Sequence, residues 1–309
     1  MDVKSFIKAA RLRTLPLSIS GIVVGCFLGN EHLNATLLSS VKTSIFETSI
    51  FWLAILTTIG FQVLSNYAND YGDGIKGSDK NRTGETRMVS SGAITPKQMK
   101  LAMIITTIIT LIIALCLIYV AFGQENFLYS ILFFGLGISS IVAAIKYTVG
   151  NSAYGYSGFG DVFVFLFFGL LSVLGSYFLY TKSINFDVFL PAVAIGFLST
   201  AVLNLNNLRD REQDKLNKKN TLVVKLGVEK AKKYHSSLIL GALLVSIVYA
   251  LINYKSPLQF LFLVAFIPLI MNVITVLKNK RPAELDKELK KVALSTFLFS
   301  LLFVFGQIL

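Results

Sequence analysis

Nine mostly apolar stretches of 18 to 24 residues run through this chain, and they limit its fold more strictly than anything else in it. A bilayer crossing needs about 20 such residues in a helix. We place the spans at 14–31, 48–69, 99–122, 127–147, 160–180, 187–208, 234–254, 257–277 and 290–308. Only 15% of the residues are charged and 54% are hydrophobic, whereas a soluble domain carries about 25% charged residues. The expected fold class is therefore all-α, a polytopic membrane protein of nine transmembrane helices. The links at 123–126 and 255–256 are short enough to make antiparallel hairpins of spans three and four, and of seven and eight. No separate soluble domain fits. No cleavable signal peptide is expected, because the first apolar run, starting near Leu15, lacks a small-residue cleavage site.

Positive charge tests this division. Lys42, Lys182 and Lys255 fall on one side of the nine-span arrangement, leaving 26 of the 29 Lys and Arg residues on the other. Cytoplasmic loops carry the Lys/Arg excess, so the N-terminus is expected inside and the C-terminus outside. The net charge of +12 is then topogenic or apposed to anionic headgroups, and no nucleic-acid partner is expected. Cys26 and Cys116 sit in separate apolar runs and read as small hydrophobes. Nothing near His32 or His235 completes a metal site.

The polar residues that remain are patterned. The second span ends in Asn66-Tyr-Ala-Asn-Asp70 and the sixth in Asn206-Asn-Leu-Arg-Asp210, on the same expected side. This echo suggests one domain, 1–309, made of two related halves, about 1–147 and 148–277, plus a last helix at 290–308. On a helix Asn66, Asp70 and Asp73 share a face at i, i+4 and i+7, and Asn206, Asp210 and Asp214 do so at i, i+4 and i+8. Carboxylates this dense repel one another without cations. Mg²⁺ is the fitting ion, since it takes one or two carboxylates and fills its shell with water and phosphate oxygens. Lys76, Lys80, Arg82 and Arg87 follow the first cluster, and Arg209, Arg211, Lys215, Lys218 and Lys219 surround the second. Carboxylate, cation and phosphate together point to a diphosphate site. Two bland readings compete: polar loops that only cap helices, and the acids of a secondary transporter. Transporter sites lie at the midplane, whereas these acids gather at one end.

Three segments resemble the UbiA superfamily of intramembrane aromatic prenyltransferases. Arg87-Met-Val-Ser-Ser-Gly92 is similar to the family's Arg-containing segment. The run from Asn206 to Gly227, with Lys219 and Thr221, resembles the second motif of the 1,4-dihydroxy-2-naphthoate polyprenyltransferase branch. Lys146-Tyr-Thr-Val-Gly150 followed by AYGYSGFGD, ending at Asp161, resembles that branch's third segment. Lys218 and Ala153 depart from it, standing where the branch usually has Gly and Pro. The resemblance implies a nine-helix bundle with a central cavity, and Mg²⁺ dependence. It implies transfer of a polyprenyl chain from polyprenyl diphosphate to 1,4-dihydroxy-2-naphthoate, with loss of diphosphate and CO₂, giving demethylmenaquinone at a bacterial cytoplasmic membrane. Homogentisate and 4-hydroxybenzoate are the alternative acceptors.

On this reading Asp70, Asp73, Asp210 and Asp214 are metal ligands and catalytic residues, with Asn66 and Asn206 as neutral oxygen partners and Asp79 as a further ligand. Arg87 and Lys219 contact the diphosphate. Tyr147 forms the aromatic end of the site, with weaker claims for Tyr154 and Tyr156. Lys146 and Asp161 bind substrate. Tyr147 as an interfacial belt tyrosine, and Asp161 as a helix N-cap, are the competing readings.

Overall fold

In the computed structural model, which describes residues 2–36, 42–77, 86–150 and 153–308, every apolar run is helical, and no strand occurs among the described residues. The long helices are α2 (Leu15–Thr36), α3 (Ser49–Lys76), α4 (Pro96–Phe122), α5 (Phe127–Lys146), α8 (Phe189–Leu216), α10 (Val228–Ile252), α11 (Leu263–Lys278) and α12 (Leu285–Ile308). Shorter ones are α1 (Val3–Ala10), α6 (Gly160–Val164), α7 (Ser172–Thr181) and α9 (Leu222–Leu226). A π-helical stretch, Phe165–Leu171, joins α6 to α7, so Gly160–Thr181 is one span. Among the described residues nine segments are long and apolar enough to cross a membrane, one for each stretch read from the sequence.

Two of these helices outrun their apolar cores. Helix α3 continues to Lys76 and α8 to Leu216, so both acidic motifs are helical rather than loop residues. Helix α4 starts sharply: Thr95 accepts the Gln98 N–H, Gln98 reaches back to the Thr95 N–H, and Pro96 takes the first helical position. A row of exposed isoleucines on α4 (Ile104, Ile105, Ile108, Ile109 and Ile112) suits acyl chains, not water.

The chain divides into two units. The first comprises Met1–Leu15, Leu53–Gly160 and Asp210–Leu226; the second comprises Pro16–Trp52, Asp161–Arg209 and Gly227–Leu309. In the first unit, Leu64, Ala68, Ile94 and Met99 form a buried core with Ala9 and Ala10. The Tyr67 hydroxyl donates to the Phe6 carbonyl, which fixes α1 against α3.

In the second unit, Gly21, Gly25 and Gly29 line one face of α2 at four-residue spacing and abut the fifth span. A Cβ would stand 2.8 Å from the Phe168 carbonyl oxygen at Gly21 and 2.9 Å from that of Tyr177 at Gly29, and closer still to that of Val173 at Gly25. Small residues let membrane helices approach backbone to backbone. Gly25→Leu should therefore lower stability by about 3 kcal/mol or more, beyond ordinary overpacking. Detergent melting curves check this, and a variant melting like the parent would remove the packing argument.

Helices α10, α11 and α12 are joined by a buried polar chain. Lys291 pairs with Glu288 at 2.6 Å, and the Asn272 amide donates to Glu288 at 2.7 Å. With its NH₂ group so used, Asn272 presents its oxygen to His235 Nε2 at 2.7 Å, which makes that nitrogen the donor. His235 is thus tied into the core through Nε2, and Cys26 and Cys116 are free thiols.

Candidate functional site

The last three turns of α3 carry Asn66, Asp70, Asp73 and Lys76, and the first unit gives each a different partner. The Asn66 amide donates to the Ala10 carbonyl at 2.8 Å and to Thr14 Oγ1 at 3.2 Å, holding the turn after α1. Asp70 is buried, and its two oxygens accept the backbone N–H groups of Val89 and Met88 at 2.9 and 3.0 Å. That clasp folds residues 87–92 back over α3 and delivers Arg87. Arg87 Nη2 lies 3.4 Å from Asp73 Oδ2, with both side chains nearly excluded from solvent. The other oxygen, Asp73 Oδ1, accepts the Tyr156 hydroxyl at 2.7 Å.

The second acidic helix end lies in the same unit. Asp210 and Asp214 occupy the last two turns of α8. The chain then turns at Lys218, whose φ of 56° is left-handed. This is the position where the resembled branch has glycine, the residue that takes such a φ without a Cβ clash. The turn brings the Lys219 N–H to the Asp214 carbonyl at 2.8 Å, and Lys219 Nζ to Asp214 Oδ1 at 3.6 Å.

Tyr156 joins the two ends. Its hydroxyl holds Asp73, and its carbonyl accepts the Asn220 N–H at 3.0 Å. Lys76 Nζ stands 4.0 Å from its ring centroid and Lys219 Nζ 5.5 Å, both within cation–π range. Lys76 also donates to the Thr148 carbonyl at 2.8 Å, and it interacts electrostatically with both Asp73 and Lys219. Gly158 allows the close approach of the two loops. Its φ is +84°, and a Cβ there would stand 2.9 Å from both the Asn220 oxygen and Lys225 Nζ. Lys225 in turn donates to the Ser157 carbonyl at 2.7 Å.

Two residues matter more here than their sequence context suggests. Tyr156 reaches an acidic motif directly, through its hydroxyl on Asp73. Tyr147 closes α5, and its ring meets Tyr154 edge-on at 5.3 Å. The Tyr154 hydroxyl donates to the Ala143 carbonyl, and burial raises its phenol pKa above the ordinary value. Lys76 is the second, the first of the basic residues that follow the acidic cluster and one turn beyond Asp73. Lys146 is exposed at the end of α5.

In the second unit, Asn206 Oδ1 accepts from Arg209 Nη2 at 2.7 Å, and Arg209 pairs with Asp286. Asp161 is buried in the first turn of α6, inside the helix and not at its cap, and interacts electrostatically with Tyr234. Asp79 lies outside the described residues.

No three His, Cys, Asp or Glu side chains converge as a metal cage among the described residues. The donor set is of another kind. Two carboxylate-bearing helix ends meet at one tyrosine, with Lys76 and Lys219 beside its ring and Arg87 on Asp73, which suits a divalent ion shared with a phosphate group. Mg²⁺ fits these residues as the partner of a polyanion.

A family model described as the UbiA prenyltransferase family matches residues 35–302. Over 308 residues the chain is 41% identical to the 1,4-dihydroxy-2-naphthoate octaprenyltransferase of Haemophilus influenzae, covering 99% of this chain and 96% of that protein. A protein of the same name from Escherichia coli is 40% identical over 306 residues, covering 98% and 94%. Among solved structures, a UbiA homolog from Archaeoglobus fulgidus bound to DMAPP and Mg²⁺ matches with a TM-score of 0.64 at 13% identity, over 99% of each chain. At that identity the likeness is one of fold.

Proposed function

The chain belongs to the UbiA prenyltransferase family, and from that premise we propose that it transfers a polyprenyl chain from polyprenyl diphosphate to 1,4-dihydroxy-2-naphthoate. The observation that carries the reaction class is the pair of carboxylate–cation contacts, Asp73–Arg87 and Asp214–Lys219, gathered around Tyr156. The relatives, similar over nearly the whole chain and named for the naphthoate acceptor, support the choice of ring.

An allylic diphosphate ionises readily once its leaving charge is stabilised, so positioned charge supplies most of the catalysis. Arg87, Lys219 and Lys76 bind the diphosphate oxygens. Asp70, Asp73, Asp210 and Asp214, with Asn66, Asn206 and Asp79, are the candidate holders of Mg²⁺. When bound, Mg²⁺ neutralises part of the phosphate charge as the carbon–oxygen bond breaks. Asp70 also acts at one remove, since both its oxygens hold the amides that place Arg87. Tyr147, Lys146 and Asp161 serve the acceptor end. The ring carbon bearing the carboxylate attacks the allylic carbon. The bond to the carboxylate then breaks, CO₂ leaves, and its electron pair restores the aromatic ring. No strong base is needed.

The excess of Lys and Arg on one side supports a cytoplasmic N-terminus and site, an outside C-terminus and insertion in a bacterial cytoplasmic membrane. Purified protein given polyprenyl diphosphate and 1,4-dihydroxy-2-naphthoate should yield a product with the mass of demethylmenaquinone. Chelation should stop the reaction and added Mg²⁺ restore it. A product that retains the carboxylate, or faster turnover of 4-hydroxybenzoate or homogentisate, would overturn the assignment.

A further inference from the structure

We infer that Tyr156 is a positioning residue that joins the two acidic helix ends into one anion site, setting Asp73 through its hydroxyl and spacing Lys76 and Lys219 with its ring. The inference rests on the diphosphate reading above and assigns work within it.

A tyrosine that only fills space leaves its hydroxyl at a convenient surface. Tyr156 directs its hydroxyl to a buried carboxylate whose other oxygen faces Arg87. Tyr156 and Arg87, one on each oxygen, fix the Asp73 rotamer. Asp73 is thus held in orientation from both of its oxygens. Partners of this kind, bonded to a ligand rather than to the ion, typically change metal affinity 10–100-fold.

The ring does separate work. Two ammonium groups drawn toward one position repel, and the π face of Tyr156 attracts each of them within about 6 Å. The ring therefore holds Lys76 and Lys219 near one another, where one anionic ligand can meet both. Its own placement is over-determined by backbone bonds on both sides. The Gly155 N–H donates to the Tyr147 carbonyl, the Tyr156 N–H to the Ala153 carbonyl, and the Asn220 N–H to the Tyr156 carbonyl, each at 3.0 Å. None of these bonds needs the phenol, so a change of side chain leaves the loop anchored.

The two functions separate by substitution. Tyr156→Phe keeps the ring and removes the hydroxyl, whereas Tyr156→Leu removes both. The full chain in detergent is titrated with Mn²⁺ in the presence of inorganic diphosphate, with binding read from loss of the free-ion EPR signal. Diphosphate binding at saturating Mg²⁺ is read by calorimetry, and kcat and donor KM are measured alongside. Tyr156→Phe should weaken Mn²⁺ binding roughly 10–100-fold, lower kcat, and leave diphosphate affinity and donor KM within about twofold of the parent. Tyr156→Leu should additionally weaken diphosphate and raise donor KM. Parent-like Mn²⁺ binding by Tyr156→Phe would overturn the hydroxyl's role, and parent-like diphosphate binding by Tyr156→Leu would overturn the ring's. If the parent itself binds no Mn²⁺ with diphosphate, the diphosphate reading falls first and this inference with it. If the parent binds normally, the variants test Tyr156 alone.

Discussion

Asp73→Asn should cut turnover about a thousandfold while the protein stays folded and inserted. The substitution is nearly isosteric, and the Asn oxygen still accepts the Tyr156 hydroxyl bonded to Asp73 in the parent. What it removes is the negative charge beside Arg87 and the site's share in holding a divalent ion. Transition-state charge stabilisation of this kind is worth several kcal/mol, and about 4 kcal/mol corresponds to a thousandfold in rate. Asp214→Asn, at the other helix end beside Lys219, should fall by a similar factor. If both ends act on one diphosphate, the double variant should be little worse than either single one, because residues working as a unit are far from additive. Raised Mg²⁺ should recover part of the loss in Asp73→Asn, since weakened binding is offset by concentration. Rates with purified protein, set beside circular dichroism and melting curves, test this. Turnover within tenfold of the parent for Asp73→Asn would remove it from the reacting centre.

How much of this was readable in advance depends on the range of the interactions involved. The nine spans follow from length and apolarity alone, and the common face of Asn66, Asp70 and Asp73 follows from helical spacing, because both are local properties. Gly21, Gly25 and Gly29 also announce a close helix contact by their four-residue spacing, though not which helix they meet. Lys218 is a subtler case: its left-handed φ explains why glycine is usual there, a constraint visible only as a departure from the pattern. The partners of the acids were not readable. Asp70 binds amides eighteen and nineteen residues downstream, which requires the 87–92 segment to fold back. Tyr147, Tyr154 and Tyr156 are chemically alike in sequence. Only the turn through Gly158, and contacts with Asn220 and Lys225 more than sixty residues away, aim Tyr156 at Asp73. The pairing of Asn206 with Arg209 was accessible in principle, as an i, i+3 contact on a helix, and it shows the Asn oxygen already engaged.

Those amide bonds separate Asp70 from Asp73 experimentally, and Asp70→Ala should both inactivate and destabilise. Removing the carboxylate leaves the Met88 and Val89 N–H groups without the acceptor they now have, in a buried setting. An unsatisfied buried donor costs about 1–3 kcal/mol, so the pair should cost about 2–5 kcal/mol, allowing for some rearrangement of the turn. Arg87 immediately precedes Met88, so loosening that turn also withdraws the guanidinium from Asp73, and turnover should fall at least as far as in Asp73→Asn. The two variants then part in their controls. Asp73→Asn should melt within a few degrees of the parent and respond to added Mg²⁺. Asp70→Ala should melt clearly lower and stay inactive at any Mg²⁺ concentration, because it misplaces Arg87 in addition to losing a ligand. Asp70→Asn should fall between them: one Asn oxygen can accept one amide, while its own NH₂ opposes the other. Parent-like melting of Asp70→Ala would mean that the 87–92 turn is held by other contacts, and Asp70 would return to being only a ligand.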